Sequence, residues 1–195
     1  MQKVCIIIVA FLCVASASIA RSQVTPKEVG IRYSEQISNG SAGVCGCFEL
    51  EGASADIKWD LIPLGAEHSS TLALVVDAGL EHAASVAASV YGLTLTTVTA
   101  GPRYTFPARK VSLFGQSLFG LAHGTGSRFP QNNTLVSSAN SFALDLSTGA
   151  DYALNRRISV RFVQLDYLRT ALPNNSTNWQ NSLRVGAGLT FRFSH

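Results

Sequence analysis

Three histidines of this 195-residue chain stand close to a hydroxyl: His68 beside Ser69, His82 near Ser85, and His123 near Thr125 and Ser127. An imidazole within hydrogen-bond reach of a serine can take its proton and make it an acyl-transfer nucleophile, once a third group fixes the ring. The reaction open to such a pair is hydrolysis of an ester, a lipid ester among them. Histidines at the ends of strands serve more often as interfacial polar residues, and the reading here is no catalytic residue and no enzyme. Glycine-rich phosphate loops, paired catalytic carboxylates and the HExxH pattern are missing from the sequence. Cys45 and Cys47, in "GVCGCFEL", can close a small disulfide, bridge to a partner or stay reduced. Two thiols without a histidine at finger spacing do not make a zinc site, so neither metal nor cofactor is expected.

The remaining chemistry is ionic, and its spacing is regular. In "SLRVGAGLTFRF" the residues Leu183, Val185, Ala187, Leu189, Phe191 and Phe193 alternate with Ser182, Arg184, Gly186, Gly188, Thr190 and Arg192. A period of two with one apolar face is a β-strand. Upstream, Val98, Ala100, Pro102, Tyr104 and Phe106 alternate with a parity that holds Arg103, and Leu72 to Leu80 with one that holds Asp77 and Glu81. Phe142, Leu144, Leu146, Ala150, Tyr152 and Leu154 alternate with a parity that holds Asp145 and Asp151. Less regular strands are predicted at Val111 to His123 and at Ile158 to Leu168, which holds Arg161 and changes phase at "FVQ", as a bulge makes it do. "CFELEGASADIKWDL" reads as a strand with a phase change around Gly52.

Composition frames these strands. Charged residues make up only 14% of the chain against roughly 25% in soluble domains, while 47% are hydrophobic. The net charge of +3 is too mild and too scattered for a nucleic-acid partner. At the start, Lys3, an apolar run from Val4 to Val14, and Ser18 and Ala20 ahead of a cleavage point make residues 1–20 a secretory signal peptide. No later stretch approaches the roughly 20 apolar residues of a membrane helix, so any membrane span must be built of strands. The exported domain is 21–195.

Connection lengths supply the topology. Backward from the C-terminus, links alternate between long, as in "RTALPNNSTNWQN", and short, as in "ALNRR" and "PARK". That is the signature of an even-stranded up-and-down barrel, and it requires a first strand, which "EVGIRYSEQI" provides. The prediction is an all-β, eight-stranded antiparallel up-and-down transmembrane β-barrel with strands of about 9 to 11 residues. Loops at Asn39 to Val44, Ala83 to Gly92, Gly124 to Asn140 and Thr170 to Asn181 share one end, where any surface partner would be met. Asn132, Asn174 and Asn175 read as ordinary loop asparagines.

Periodicity alone does not say which face is inside. Charges of both signs on the polar parity (Asp77, Glu81, Asp145 and Asp151 against Arg103, Arg161, Arg184 and Arg192) fit ion pairs in a narrow lumen. Glycine and alanine crowd that parity, as the interior of eight strands demands. Trp59, Tyr104, Phe106, Tyr152, Phe191 and Phe193 fall near the short-turn end on the apolar parity, as an aromatic girdle at one membrane interface would. The apolar face is therefore expected to meet lipid. A secreted soluble barrel with a hydrophobic ligand inside is the alternative, and an outer-membrane lipid hydrolase a further one.

The segments "CGCFELEGASAD", "GPRYTF", "LFGQSLFGLAHG", "SFALDLSTGADY", "VRFVQLDYLRT" and "QNSLRVGAGLTFRF", in that order, resemble the small OmpA-like outer-membrane β-barrel domain family over nearly the whole mature chain. The ending "GAGLTFRF" is similar to the C-terminal insertion signal of such barrels, followed here by Ser194 and His195. The resemblance implies a barrel in the outer membrane of a Gram-negative-type cell envelope, inserted by the barrel assembly machinery, without enzymatic activity. It also implies a barrel alone, without the peptidoglycan-binding domain that follows it in longer relatives. An eight-stranded lumen filled by side chains leaves no open pore, so the expected role is structural or one of surface interaction.

Overall fold

The computed structural model describes residues 27–39, 47–64, 70–86, 91–131, 134–174 and 178–193. The signal peptide, Cys45, His68 and Ser69 lie outside the described residues. The strands are β1 (Glu28–Ser38), β2 (Phe48–Leu64), β3 (Ser70–Ala83), β4 (Leu93–Ala108), β5 (Val111–Gln131), β6 (Thr134–Ala153), β7 (Ile158–Thr170) and β8 (Gln180–Arg192). Each pairs antiparallel with its sequence neighbour, and β1 pairs with β8 from Glu28↔Arg192 to Ser38↔Ser182, closing an eight-stranded up-and-down barrel. Closure leaves no free sheet edge, so every ladder has a partner on both sides.

The short connections have local causes. The link between β4 and β5 is the pair Arg109 and Lys110, with Arg109 taking the left-handed conformation (φ 58°) that lets two antiparallel strands meet across two residues. Between β6 and β7 the Asn155 side chain accepts the backbone N–H groups of Arg157 and Ile158, each at 2.8 Å. Asparagine thereby supplies the acceptor that the turning backbone lacks.

Three features depart from the sequence reading. First, the strands are longer than expected, at 11 to 21 residues. Second, most of Gly124 to Asn140 is not a loop: β5 and β6 stay paired out to Gln131↔Thr134. Its glycines, serines and Pro130 resemble a loop in composition, yet a two-stranded ribbon satisfies its own backbone. The register shift between Thr125 and Phe129 is accommodated where Gly126 sits at φ 86°.

Third, β2 has no phase change at Gly52. Its register to β1 runs unbroken from Phe48 to Lys58, and its even-numbered residues face inward over that span, with a register shift to β3 only later, between Asp60 and Ile62. What changes along β2 is chemistry. Toward the loop end Leu50 is buried and Glu49 and Glu51 are exposed; toward the short-turn end Asp56 and Lys58 are buried while Ala55 and Ile57 face out. The inside therefore changes from ionic to apolar near one level of the barrel. The bulge in β7 is present: Arg161↔Gly188 is followed by Gln164↔Gly186, one extra residue in β7.

Candidate functional site

The strand period of two puts alternate residues into the lumen, and the lumen is stratified. At the short-turn mouth Glu28 lies 3.0 Å from Arg192 Nε and 3.5 Å from Lys58 Nζ. Arg192 belongs to this rim, its side chain 35% exposed, and so departs from a buried lumen position.

Deeper, Arg161 reaches Asp151 at 2.9 Å and Asp56 at 2.6 Å, and Arg103 reaches the second oxygen of Asp56 at 3.3 Å. Arg103 also donates to Gln116 Oε1 at 2.6 Å. The Phe114 ring lies 4.6 Å from the Arg103 guanidinium carbon and 4.8 Å from that of Arg161, in contact with both cations. A desolvated guanidinium over an aromatic face gains from the ring quadrupole.

A second ionic layer centres on Arg184. Its three nitrogens each take a different carboxylate: Glu81 at 2.6 Å, Asp145 at 2.7 Å and Asp166 at 2.6 Å. Arg32 completes the layer, 3.3 Å from Asp77 and 3.5 Å from Asp166. The planar fork of a guanidinium carries donors in several directions and holds its charge, which suits arginine to this position. Above it an apolar cap closes the loop end: Leu50, Leu93, Leu95, Phe129, Leu168 and Leu172 pack with small residues of β3, β5 and β6.

Asp77, Glu81, Arg103, Asp145, Asp151, Arg161 and Arg184 are thus brought into one lumen with sequence separations of up to 103 residues within a single pair. Glu28, Arg32, Asp56, Lys58 and Asp166 belong to the same network and escaped the sequence reading. Arg32 stood on the polar parity of β1 and was legible there. Asp56 and Lys58 were hidden by the apparent phase change in β2, and Asp166 by the bulge ahead of it.

The outward face is the apolar one. Ile31, Leu80, Val98, Phe119, Phe142, Leu165 and Leu183 are each 44–55% exposed. Tyr104, Phe106, Tyr152 and Phe193 are exposed, and Trp59 and Phe191 half-buried, in the short-turn halves of the barrel. Toward the loop end the outward residues turn polar and pair across strands: Tyr33 donates to Glu51 at 3.1 Å and Tyr167 to Asn181 at 2.8 Å. His82 Nδ1 meets Thr94 Oγ1 at 3.0 Å, and His123 Nδ1 meets Asn140 Oδ1 at 2.6 Å. Ser85, Thr125 and Ser127 are not in these two pairs. Cys47 is exposed just ahead of β2. Among the described residues no three His, Cys, Asp or Glu side chains converge as metal ligands.

The barrel is similar to solved structures. Neisserial surface protein A superposes with a TM-score of 0.66 at 16% identity, over 85% of this chain and 96% of that one. Ail, the attachment invasion locus protein of Yersinia pestis, gives 0.48 at 15% identity over 87% and 100%. The N-terminal β-barrel domain of Pseudomonas aeruginosa OprF gives 0.45 at 15% identity over 86% and 98%. No protein-family model and no curated protein sequence matches the chain.

Proposed function

We propose that this chain is an integral outer-membrane barrel protein with a closed lumen, whose role is structural or one of interaction at the loop end. The observation that carries this reading is the inverted wall. Arg103, Arg161 and Arg184 are at most 1% exposed, while Leu121 and Leu183 on the outer face are 67% and 55% exposed. In water such a belt is an aggregation surface; in a bilayer it is the solvated face, and a closed barrel leaves no unpaired backbone in the hydrocarbon.

The lumen supports the same reading. Among the described residues two ionic layers and an apolar cap fill it, which disfavours a porin, and buried charge occupies the middle of the barrel where a soluble carrier would hold an apolar ligand. Catalysis is no part of the proposal; of the histidines near a hydroxyl, His82 and His123 pair with Thr94 and Asn140 on the outer wall. The aromatic residues near the short-turn end serve as an interfacial girdle, the C-terminal strand is read by the assembly machinery, and the loops meet surface partners. A cleaved export signal precedes the barrel in this reading.

Fractionation followed by gel migration with and without boiling tests the proposal. The expected result is outer-membrane recovery and a mobility that shifts on heating. Free solubility in the periplasm or medium with no heat shift would overturn it.

A further inference from the structure

One sector of the outer wall differs from the rest. Across β8, β1, β2 and β3 the register aligns Leu183, Ile37 and Glu49 in one row; Val185, Glu35, Glu51 and His82 in the next; then Ala187, Tyr33, Ala53 and Leu80; then Leu189, Ile31, Ala55 and Ala78. The two deeper rows form an open groove of about 830 Å³ floored by alanines and walled by Ile31, Tyr33, Leu80 and Leu189. The two rows nearer the loops form a second depression of about 350 Å³ that includes Glu35, Glu49, Glu51 and His82. Tyr33 links them, since its side chain lines the groove and its hydroxyl donates to Glu51.

The charge of the upper depression is one-sided. Glu35 stands directly opposite Glu51 in the ladder, with Glu49 two residues away on the same face. Like charges placed opposite each other across strands destabilise a sheet. The lysine and arginines of these four strands, Arg32, Lys58, Arg184 and Arg192, all lie on the inward parity, so the carboxylates face out with His82, opposite Glu51, as the one basic strand residue beside them. An open apolar groove that ends in carboxylates is complementary to a cation that carries a tail.

We propose that this sector seats one lipid, its acyl chain in the alanine groove and a primary amine of its head group against Glu35, Glu49 and Glu51. The proposal rests on the membrane reading above. The amine neutralises the Glu35–Glu51 repulsion, and the missing side-chain bulk at Ala53, Ala55, Ala78 and Ala187 lets the chain approach the strand backbone. Solvent-exposed pairing of this kind is weak singly and screened by salt, so the effect is selectivity among lipids.

Electron paramagnetic resonance of the purified barrel in phosphatidylcholine bilayers tests it, with spin-labelled stearylamine, stearic acid and phosphatidylcholine as probes. The amine is expected to associate about two- to fivefold more strongly than phosphatidylcholine at low salt, with the preference shrinking as salt rises. The triple variant E35Q/E49Q/E51Q is expected to abolish the preference while the total restricted lipid stays constant. Filling the groove with A53L and A187L is expected to reduce it with the carboxylates intact.

Equal association of amine and phosphatidylcholine would overturn the proposal and leave the membrane reading standing, whereas no motionally restricted lipid with any probe would overturn the membrane reading itself. Amine selectivity unaffected by A53L/A187L would remove the groove. A preference for stearic acid that appears only on adding magnesium would assign the carboxylates to a cation-bridged anionic lipid instead. Cross-linked pairs of barrels with all three probes excluded from the sector would assign it to a second copy of the chain.

Discussion

At the scale of single residues the strongest statement concerns Arg184. Its side chain is fully buried and bonded to Glu81, Asp145 and Asp166. Removing one partner of a buried pair leaves an uncompensated charge, at a cost of about 3–5 kcal/mol. Arg184→Leu strands three carboxylates, and urea unfolding of the barrel in lipid vesicles is expected to report a loss at least in that range. Glu81→Gln should cost less, because the arginine keeps its other two acids and the amide can still accept.

Gly188 makes a different demand. A Cβ there would come within 2.7 Å of the Arg32 Cα on β1, against backbone that has no room to yield. Gly188→Ala is therefore expected to destabilise the β1–β8 seam by about 1–3 kcal/mol in the same assay, through strand separation and with no charge lost.

Elements impose constraints that no single residue carries. The side-chain period of a strand is two, so inserting or deleting one residue exchanges lumen and outer wall for everything beyond it. The β7 bulge is one exception, since it already holds one extra residue between Arg161 and Gln164. Deleting Val163 leaves Arg161, Gln164 and Asp166 on the inward side with their β8 partners unchanged. That deletion is expected to keep a heat-modifiable barrel, while deleting Ala187 from the regular β8 turns Leu189 inward and Thr190 outward and should abolish it. Gel migration of the two variants, refolded side by side, makes the comparison.

The long β5–β6 ribbon is the second lesson at this scale. Its composition is that of a loop, but pairing is decided by what lies opposite. Phe129 and Ala139, inward members of that ribbon, are part of the apolar cap.

For the whole molecule, the layered lumen predicts behaviour as a plug. In planar bilayers the protein is expected to give no porin-sized current steps, because passage would have to displace the Arg161 and Arg184 layers and then the apolar cap. Shortening the Arg184 layer alone, as in Arg184→Leu, should still leave the Arg161 layer and the cap in the path. Recurrent large steps from the unaltered protein would contradict this picture. The same layering explains the inverted pattern along β2: an ionic interior sits behind the apolar outer wall, and an apolar interior sits where the outer wall turns polar at Glu49, Glu51 and His82.

The sequence by itself determined the strand count, the antiparallel order and the two-faced parity of the regular strands, though not that of β2. Period-two alternation and the alternation of link lengths are local properties, written within about ten residues of each other. It also carried most of the ionic residues of the lumen, because charge on a strand parity is visible without knowing the partner. Only the tertiary structure decided which acid meets which base, since Arg184 and Glu81 are brought together by closure of the barrel across 103 residues. Closure also decided that Arg192 belongs to the rim, that β2 keeps one phase from Phe48 to Lys58 while its surroundings change, and that a glycine- and serine-rich stretch is a paired ribbon. In each case the physical cause is the same: a residue's face is set by its own strand, but its environment is set by what the other seven strands place at that height.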